Sequence, residues 1–193
     1  MVSLASFDRY VDEHEAELVA ELQSLCRMPS ISAQGVGLGE TATEVLARLQ
    51  GIGASARLVE VPGGAPWVVA EIGAGPRTVA FYNHYDVQPP EPLDLWTSPP
   101  FAAEVRDGKV FARGVADNKG DLTARIQAVD IYRRMVGELP LRVIFLVEGE
   151  EEIGSPHLQR FADENGRLIA GSLGVLWEGA WMDETGRPQL ECG

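Results

Sequence analysis

Over residues 7–26, positions Tyr10, Val11, His14, Leu18, Leu22 and Leu25 recur at three- and four-residue spacing, which predicts an amphipathic helix. Pro29 ends it, because the residue before a proline is driven out of the α region. After a glycine-bearing loop, 41–50 predicts a second helix with Val45, Leu46 and Leu49 on one side and Gly51 and Gly53 at its C-terminal end. The period then changes. Segments 56–61, 67–72 and 78–82 predict strands, and the last two are short, nearly continuous apolar runs, as in strands covered on both faces. A proline-rich loop occupies 89–100. Within 101–113, Arg106-Asp107-Gly108-Lys109 predicts a hairpin with Asp-Gly at its turn. The pattern continues with a helix over 121–136, mostly apolar at Leu122, Ile126, Val129 and Ile131, and a strong strand over 141–147. A short helix over 156–165, a strand over 175–177 and a last hairpin turning at Asp183-Glu184-Thr185-Gly186 complete it. Strands alternating with helices imply an α/β layered fold.

A chain of 193 residues with 45% hydrophobic content suffices for one domain with a core. Its 29 acidic residues outweigh 16 basic ones, and the resulting formal charge of −13 repels a polyanion, so nucleic acid is not an expected partner. The acidic excess has two readings: a solvated surface, or carboxylates concentrated at a metal site. Cys26 and Cys192 stand far apart without a CxxC partner, so neither suggests a zinc knuckle or a disulfide framework. The mildly apolar start is followed at once by Asp8, Arg9, Asp12 and Glu13, unlike a signal peptide, and no apolar run is long enough to span a bilayer. A cytoplasmic protein without a membrane partner is the expectation.

Candidate chemistry gathers at predicted strand ends, where α/β folds place their sites. Tyr82-Asn83-His84-Tyr85-Asp86 follows the third strand. A metal-bound imidazole donates its other N–H to a partner, so Asp86 reads either as that partner or as the group orienting a general base. In the loop Arg113-Gly114-Val115-Ala116-Asp117-Asn118-Lys119-Gly120, Asp117 reads as a carboxylate able to bridge two cations or as an ordinary helix N-cap. Glu148-Gly149-Glu150-Glu151-Glu152-Ile153-Gly154-Ser155 follows the most hydrophobic strand. Its carboxylates form a solvated acidic loop or repel one another until something cationic compensates. Adjacent glutamates there suit hydrolysis, one ligating a metal and its neighbour taking a proton from water. Glu178 is a lone carboxylate after the run 174–176.

Together with Met28-Pro29-Ser30-Ile31-Ser32 and Leu95-Trp96-Thr97-Ser98-Pro99-Pro100-Phe101, these motifs resemble the dinuclear zinc peptidase and deacylase family of carnosinases, acetylornithine deacetylase, succinyl-diaminopimelate desuccinylase and aminoacylases. The longer acidic motif and the Trp96 segment look most like its dipeptidase and carnosinase branch. The resemblance implies a zinc-exopeptidase-like catalytic domain, a layered mixed sheet with helices on both faces. It implies two divalent ions, zinc with manganese or cobalt as substitutes. His84 and Glu178 would ligate the first ion, Asp117 would bridge both and Glu152 would ligate the second. Glu151 would be the general base, supported by Asp86, and the Asp117-Asn118 peptide would be cis. The substrate implied is a dipeptide, with an N-acyl amino acid as the alternative.

One departure from the family pattern stands out. Relatives carry a further metal-binding histidine after an inserted lid domain, and neither lies within 1–193. The chain therefore reads as the N-terminal portion of a catalytic domain, with dimerisation through the lid an expectation for the whole enzyme. His14 and His157 read as surface or packing residues. A catalytically inactive metal-binding module is the rival reading. Gly51-Ile52-Gly53-Ala54-Ser55-Ala56 matches a dinucleotide pattern, but it lies after a helix and before a strand, the reverse of the required order. His14-Glu15-Ala16-Glu17-Leu18 lacks the second histidine of a zincin motif.

Overall fold

The computed structural model describes residues 2–178, Thr185 and the strand residues Trp181–Met182 and Pro188–Gln189. Its core is built around the strand Arg142–Glu148, whose side chains alternate between two apolar layers. Val143, Phe145 and Val147 enter one layer, Ile144 and Leu146 the other. In chain order the elements are α1 (Leu4–Cys26), α2 (Leu38–Gly51), β1 (Ser55–Val59), β2 (Trp67–Ile72), β3 (Thr78–His84), β4 (Glu104–Arg106) and β5 (Lys109–Phe111). They continue with α3 (Lys119–Val136), β6 (Arg142–Glu148), α4 (Leu158–Asn165), β7 (Val175–Leu176), β8 (Trp181–Met182) and β9 (Pro188–Gln189).

A five-stranded mixed sheet runs β1-β2-β6-β3-β7, antiparallel from β1 to β6 and parallel from β6 to β7. Apolar stripes of α2 (Ala42, Val45, Leu49) and α3 (Leu122, Ile126, Val129) cover one face. On the other, Phe161 of α4 stacks on Trp67 with ring centroids 3.8 Å apart. Helices thus lie on both faces, as expected. The parallel β3-α3-β6 crossover brings the carboxyl ends of β3, β6 and β7 to one edge, with His84 directly opposite Glu148 in register. No described helix is long and apolar enough to cross a membrane.

The structure departs from the periodicity at several element ends. The third strand runs on past 82 because Asn83 and His84 are buried and paired, and the Tyr85 N–H bonds the Glu148 carbonyl at 2.9 Å. The first strand stops at Val59, while Val61 is buried in the loop that follows. The four helices start two or three residues away from the periodic segments, at Leu4, Leu38, Lys119 and Leu158. The hairpin β4–β5 turns at Asp107 and Gly108 with φ of 50° and 71°, the positive pair that an Asp-Gly turn supplies. The last hairpin pairs Trp181 with Gln189. Asp183, Glu184 and Gly186 of its expected turn lie outside the described residues.

Candidate metal centre

Nothing beyond His84 extends β3, so its imidazole stands at the sheet edge, buried beneath the loops that follow the strands. Nδ1 lies 3.0 Å from the Asp86 carbonyl oxygen, which only accepts, so Nδ1 carries the proton. Nε2 is left facing Asp117 Oδ1 at 2.9 Å, Glu178 Oε2 at 3.2 Å and Glu151 Oε2 at 3.8 Å. Burial pulls the imidazole pKa down, but hydrogen bonds with Asp117, Asp86 and Glu178 outweigh it and push it up to about 12. The Asp117 carboxyl is lowered, chiefly by its bond from His84.

The acidic loop is anchored from below. Asp86, fully buried, accepts the Glu151 N–H at 3.2 Å on one oxygen and the Glu152 N–H at 3.1 Å on the other. Its Oδ1 also lies 3.3 Å from His84 Nδ1. Gln88 holds Glu152, its N–H bonding Oε1 at 3.2 Å and its side-chain amide bonding Oε2 at 2.8 Å. Behind the loop, the buried Glu148 accepts hydrogen bonds from the Tyr82 hydroxyl and from Ser155 Oγ. Glu150 is bonded to His157 Nδ1 at 2.8 Å. Loss of solvent raises the carboxyls of Glu151 and Glu152, as their negative neighbours also do.

The Asp117-Asn118 peptide is cis, as the family resemblance implied. Asn118 is a hub. Its Oδ1 accepts from Asn83 Nδ2 and from the His84 N–H, and its Nδ2 donates to Glu178 Oε2 at 2.7 Å. Lys119, buried next to it, donates from Nζ to the Met28 carbonyl at 2.5 Å.

Two donor sets result: His84, Asp117 and Glu152, and His84, Glu151 and Glu178, each with ligand atoms within 4.8 Å of one another. An imidazole among carboxylates suits zinc, manganese or cobalt. Four carboxylates around one ring repel one another, and a divalent cation relieves that repulsion. All six residues singled out in the sequence (His84, Asp86, Asp117, Glu151, Glu152 and Glu178) come together here. The grouping differs in two respects: Glu152 shares a set with His84 as well as with Asp117, and Glu178 shares its set with Glu151 rather than with Asp117. His14 lies apart, bonded to the Tyr10 carbonyl at 2.8 Å. Gln88 and the Asn118 side chain were not anticipated; Asn118 sits inside a motif the sequence marked, and Gln88 lies two residues beyond one.

The sequence profile of peptidase family M20/M25/M40 matches residues 80–190, a span holding all six site residues. Beta-Ala-His dipeptidase of Rattus norvegicus is 32% identical, over 99% of this chain and 42% of its own length. An M20 family metallo-carboxypeptidase from Sulfolobus solfataricus superposes with a TM-score of 0.84 at 39% identity, covering 90% of this chain and 39% of that structure. Human carnosine dipeptidase 1 superposes with a TM-score of 0.84 at 32% identity, covering 90% of this chain and 41% of that structure. The chain thus spans about two fifths of the length of these relatives. A profile match over more than half of the residues and two close superpositions lead to one conclusion: this chain belongs to the peptidase family M20/M25/M40.

Proposed function

We propose that the protein hydrolyses the amide bond of dipeptides with two divalent ions, zinc by preference, and that residues 1–193 form the N-terminal part of its catalytic domain. The observation that carries this reading is the convergence of Asp117, Glu178 and Glu151 on one deprotonatable nitrogen of the buried His84. In this reading His84 and Glu178 would hold the first ion, Glu152 would hold the second, and Asp117 would serve both. Ions bound there supply Lewis acidity, polarising the amide carbonyl and acidifying water.

The chain's own residues supply the rest. Asp86 keeps the Nδ1 proton of His84 in place, so that Nε2 is the ligating nitrogen. Through the two backbone N–H groups it also aims Glu151 and Glu152 at the site. Glu151 takes a proton from the attacking water and returns it to the leaving amine. Its pKa, raised by burial, brings it nearer neutrality, where a base and its conjugate acid both work. Dipeptides are favoured over N-acyl amino acids because relatives across most of the chain are named for dipeptide or C-terminal peptide substrates. A cytoplasmic location is the expectation set by the residue pattern, and a dimer formed through a lid domain rests on the family resemblance.

The test separates the two adjacent glutamates. Glu151→Gln is expected to cut turnover by about 10²–10⁴-fold with metal content nearly unchanged, the usual worth of a general base. Glu152→Gln is expected to lower metal occupancy itself. Metal analysis and dipeptide assays on both variants read this out. Equal metal loss in the two variants would overturn the assignment of roles.

A further inference from the structure

Glu178 reaches His84 from an element that offers little to hold it. β7 is two residues long and lies at the edge of the sheet. It is tied to β3 at Ala80–Val175 and Phe81–Leu176, with backbone bonds from Ala80 to the Gly174 carbonyl and from Leu173 to the Thr78 carbonyl. Among the described residues the pairing with β3 ends at Leu176. There a side chain from α3 takes over. Arg125 Nη2 donates to the Trp177 carbonyl at 2.7 Å. Its Nη1 donates to the Tyr82 carbonyl at 2.9 Å and to Asn83 Oδ1 at 2.8 Å. The guanidinium lies 5.5 Å from the centroid of the Phe81 ring. One planar fork therefore ties the carboxyl ends of β3 and β7 together, immediately before His84 on one strand and Glu178 on the other.

The geometry points to Arg125 as a positioning residue for Glu178, replacing the missing strand ladder with a side-chain bridge that fixes where the chain turns towards His84. This rests on the reading of Glu178 as a metal-binding carboxylate. Arg125 acts through the Trp177 carbonyl. A lysine cannot do the same work, because a single ammonium does not present a rigid fork to both strands at once. Partners that orient a ligand from behind are generally worth about 10–100-fold in metal affinity, and that is the size of loss expected when the fork is removed.

The experiment is a double-mutant cycle on the intact protein, titrated with zinc by calorimetry. Arg125→Met is expected to weaken zinc binding by about 10–100-fold in the native background. In a Glu178→Gln background it should add almost nothing, since the group it positions has gone. Equal losses in both backgrounds would show that Arg125 acts elsewhere, and the proposal would fall. If Glu178→Gln weakens zinc while Arg125→Met leaves it unchanged, Arg125 is not needed and the ligand reading survives. If Glu178→Gln has no effect, that reading fails and the positioning role fails with it. Arg125→Lys guards against loss of folding. Keeping the charge but not the fork, it should speed amide exchange at Ala80 in the metal-free protein. Unchanged exchange there would also overturn the proposal.

Discussion

A carboxylate whose two oxygens each accept a backbone N–H has little freedom left, and Asp86 is held in this way by Glu151 and Glu152. Buried charge-assisted bonds of this kind contribute about 1.5–3 kcal/mol each. Asp86→Asn presents an NH₂ to one of those donors and removes the charge facing His84 Nδ1. It is expected to lower both the thermal midpoint and zinc affinity, read by calorimetry with and without metal. An unchanged midpoint would remove Asp86 from its supporting role. Cys26 offers a second prediction at this scale. It is a buried free thiol whose pKa burial pushes up. With the folded pKa above the unfolded one, its contribution to stability is complete below about pH 8.5, the unfolded value, and declines as pH rises towards the folded one. Lys119 runs the other way, its pKa drawn down by burial to about 8. The thiol's part is therefore the difference in pH dependence between the protein and Cys26→Ala. In a Cys192→Ser background the native thiol should resist disulfide-exchange reagents until the protein unfolds; rapid native-state labelling would contradict its burial.

The step from β6 into the acidic loop depends on one small residue. A Cβ built on Gly149 would lie 2.2 Å from Tyr85 Oη. That hydroxyl is bonded to the Pro66 carbonyl at 2.8 Å and its ring is buried, so neither side can yield. Gly149→Ala is expected to cost about 1–3 kcal/mol by overpacking, and to displace Glu151 and Glu152 as well. Gly166→Ala is the control: its φ is −58° and no atom within 4 Å meets the added carbon. It should be neutral or stabilising by about 0.4–1 kcal/mol. Equal midpoints for the two variants would refute the steric argument. Elements of this kind were unevenly legible. β2 and β6 stand out as apolar runs because both faces are covered. The end of β3 does not, since Asn83 and His84 are polar and their burial is balanced by Asn118 and Arg125, distant in sequence. The first turn of α1 carries no stripe to read, with Leu4 left exposed. Most of the site was visible because its residues sit in compact motifs. Arg125 was not, although it falls on the same helical stripe as Leu122, Ile126 and Val129, where a charge signals a buried partner.

At the scale of the molecule, the formal charge of −13 and the four carboxylates around His84 act against folding in the same direction. Salt separates the two contributions. Exposed charges are screened within roughly 10 Å at 0.1 M salt, whereas groups at a partly buried site are screened much less. Added sodium chloride should therefore relieve the surface repulsion and leave most of the repulsion at the site. A divalent ion bound only by the folded state acts at the site itself. At a hundredfold excess over its dissociation constant it stabilises by about 2.7 kcal/mol. For a chain of this length each kcal/mol moves the midpoint by roughly 2–4 °C. Chelation is thus expected to lower the thermal midpoint by several degrees, zinc to restore it, and sodium chloride to restore only part of it. The same titration on Glu152→Gln should show a smaller zinc response, because one carboxylate of the set has lost its charge. A midpoint indifferent to zinc, in a protein shown by metal analysis to have been stripped and reloaded, would mean that the carboxylates around His84 do not hold the ion. The excess negative charge would then be a property of the surface alone.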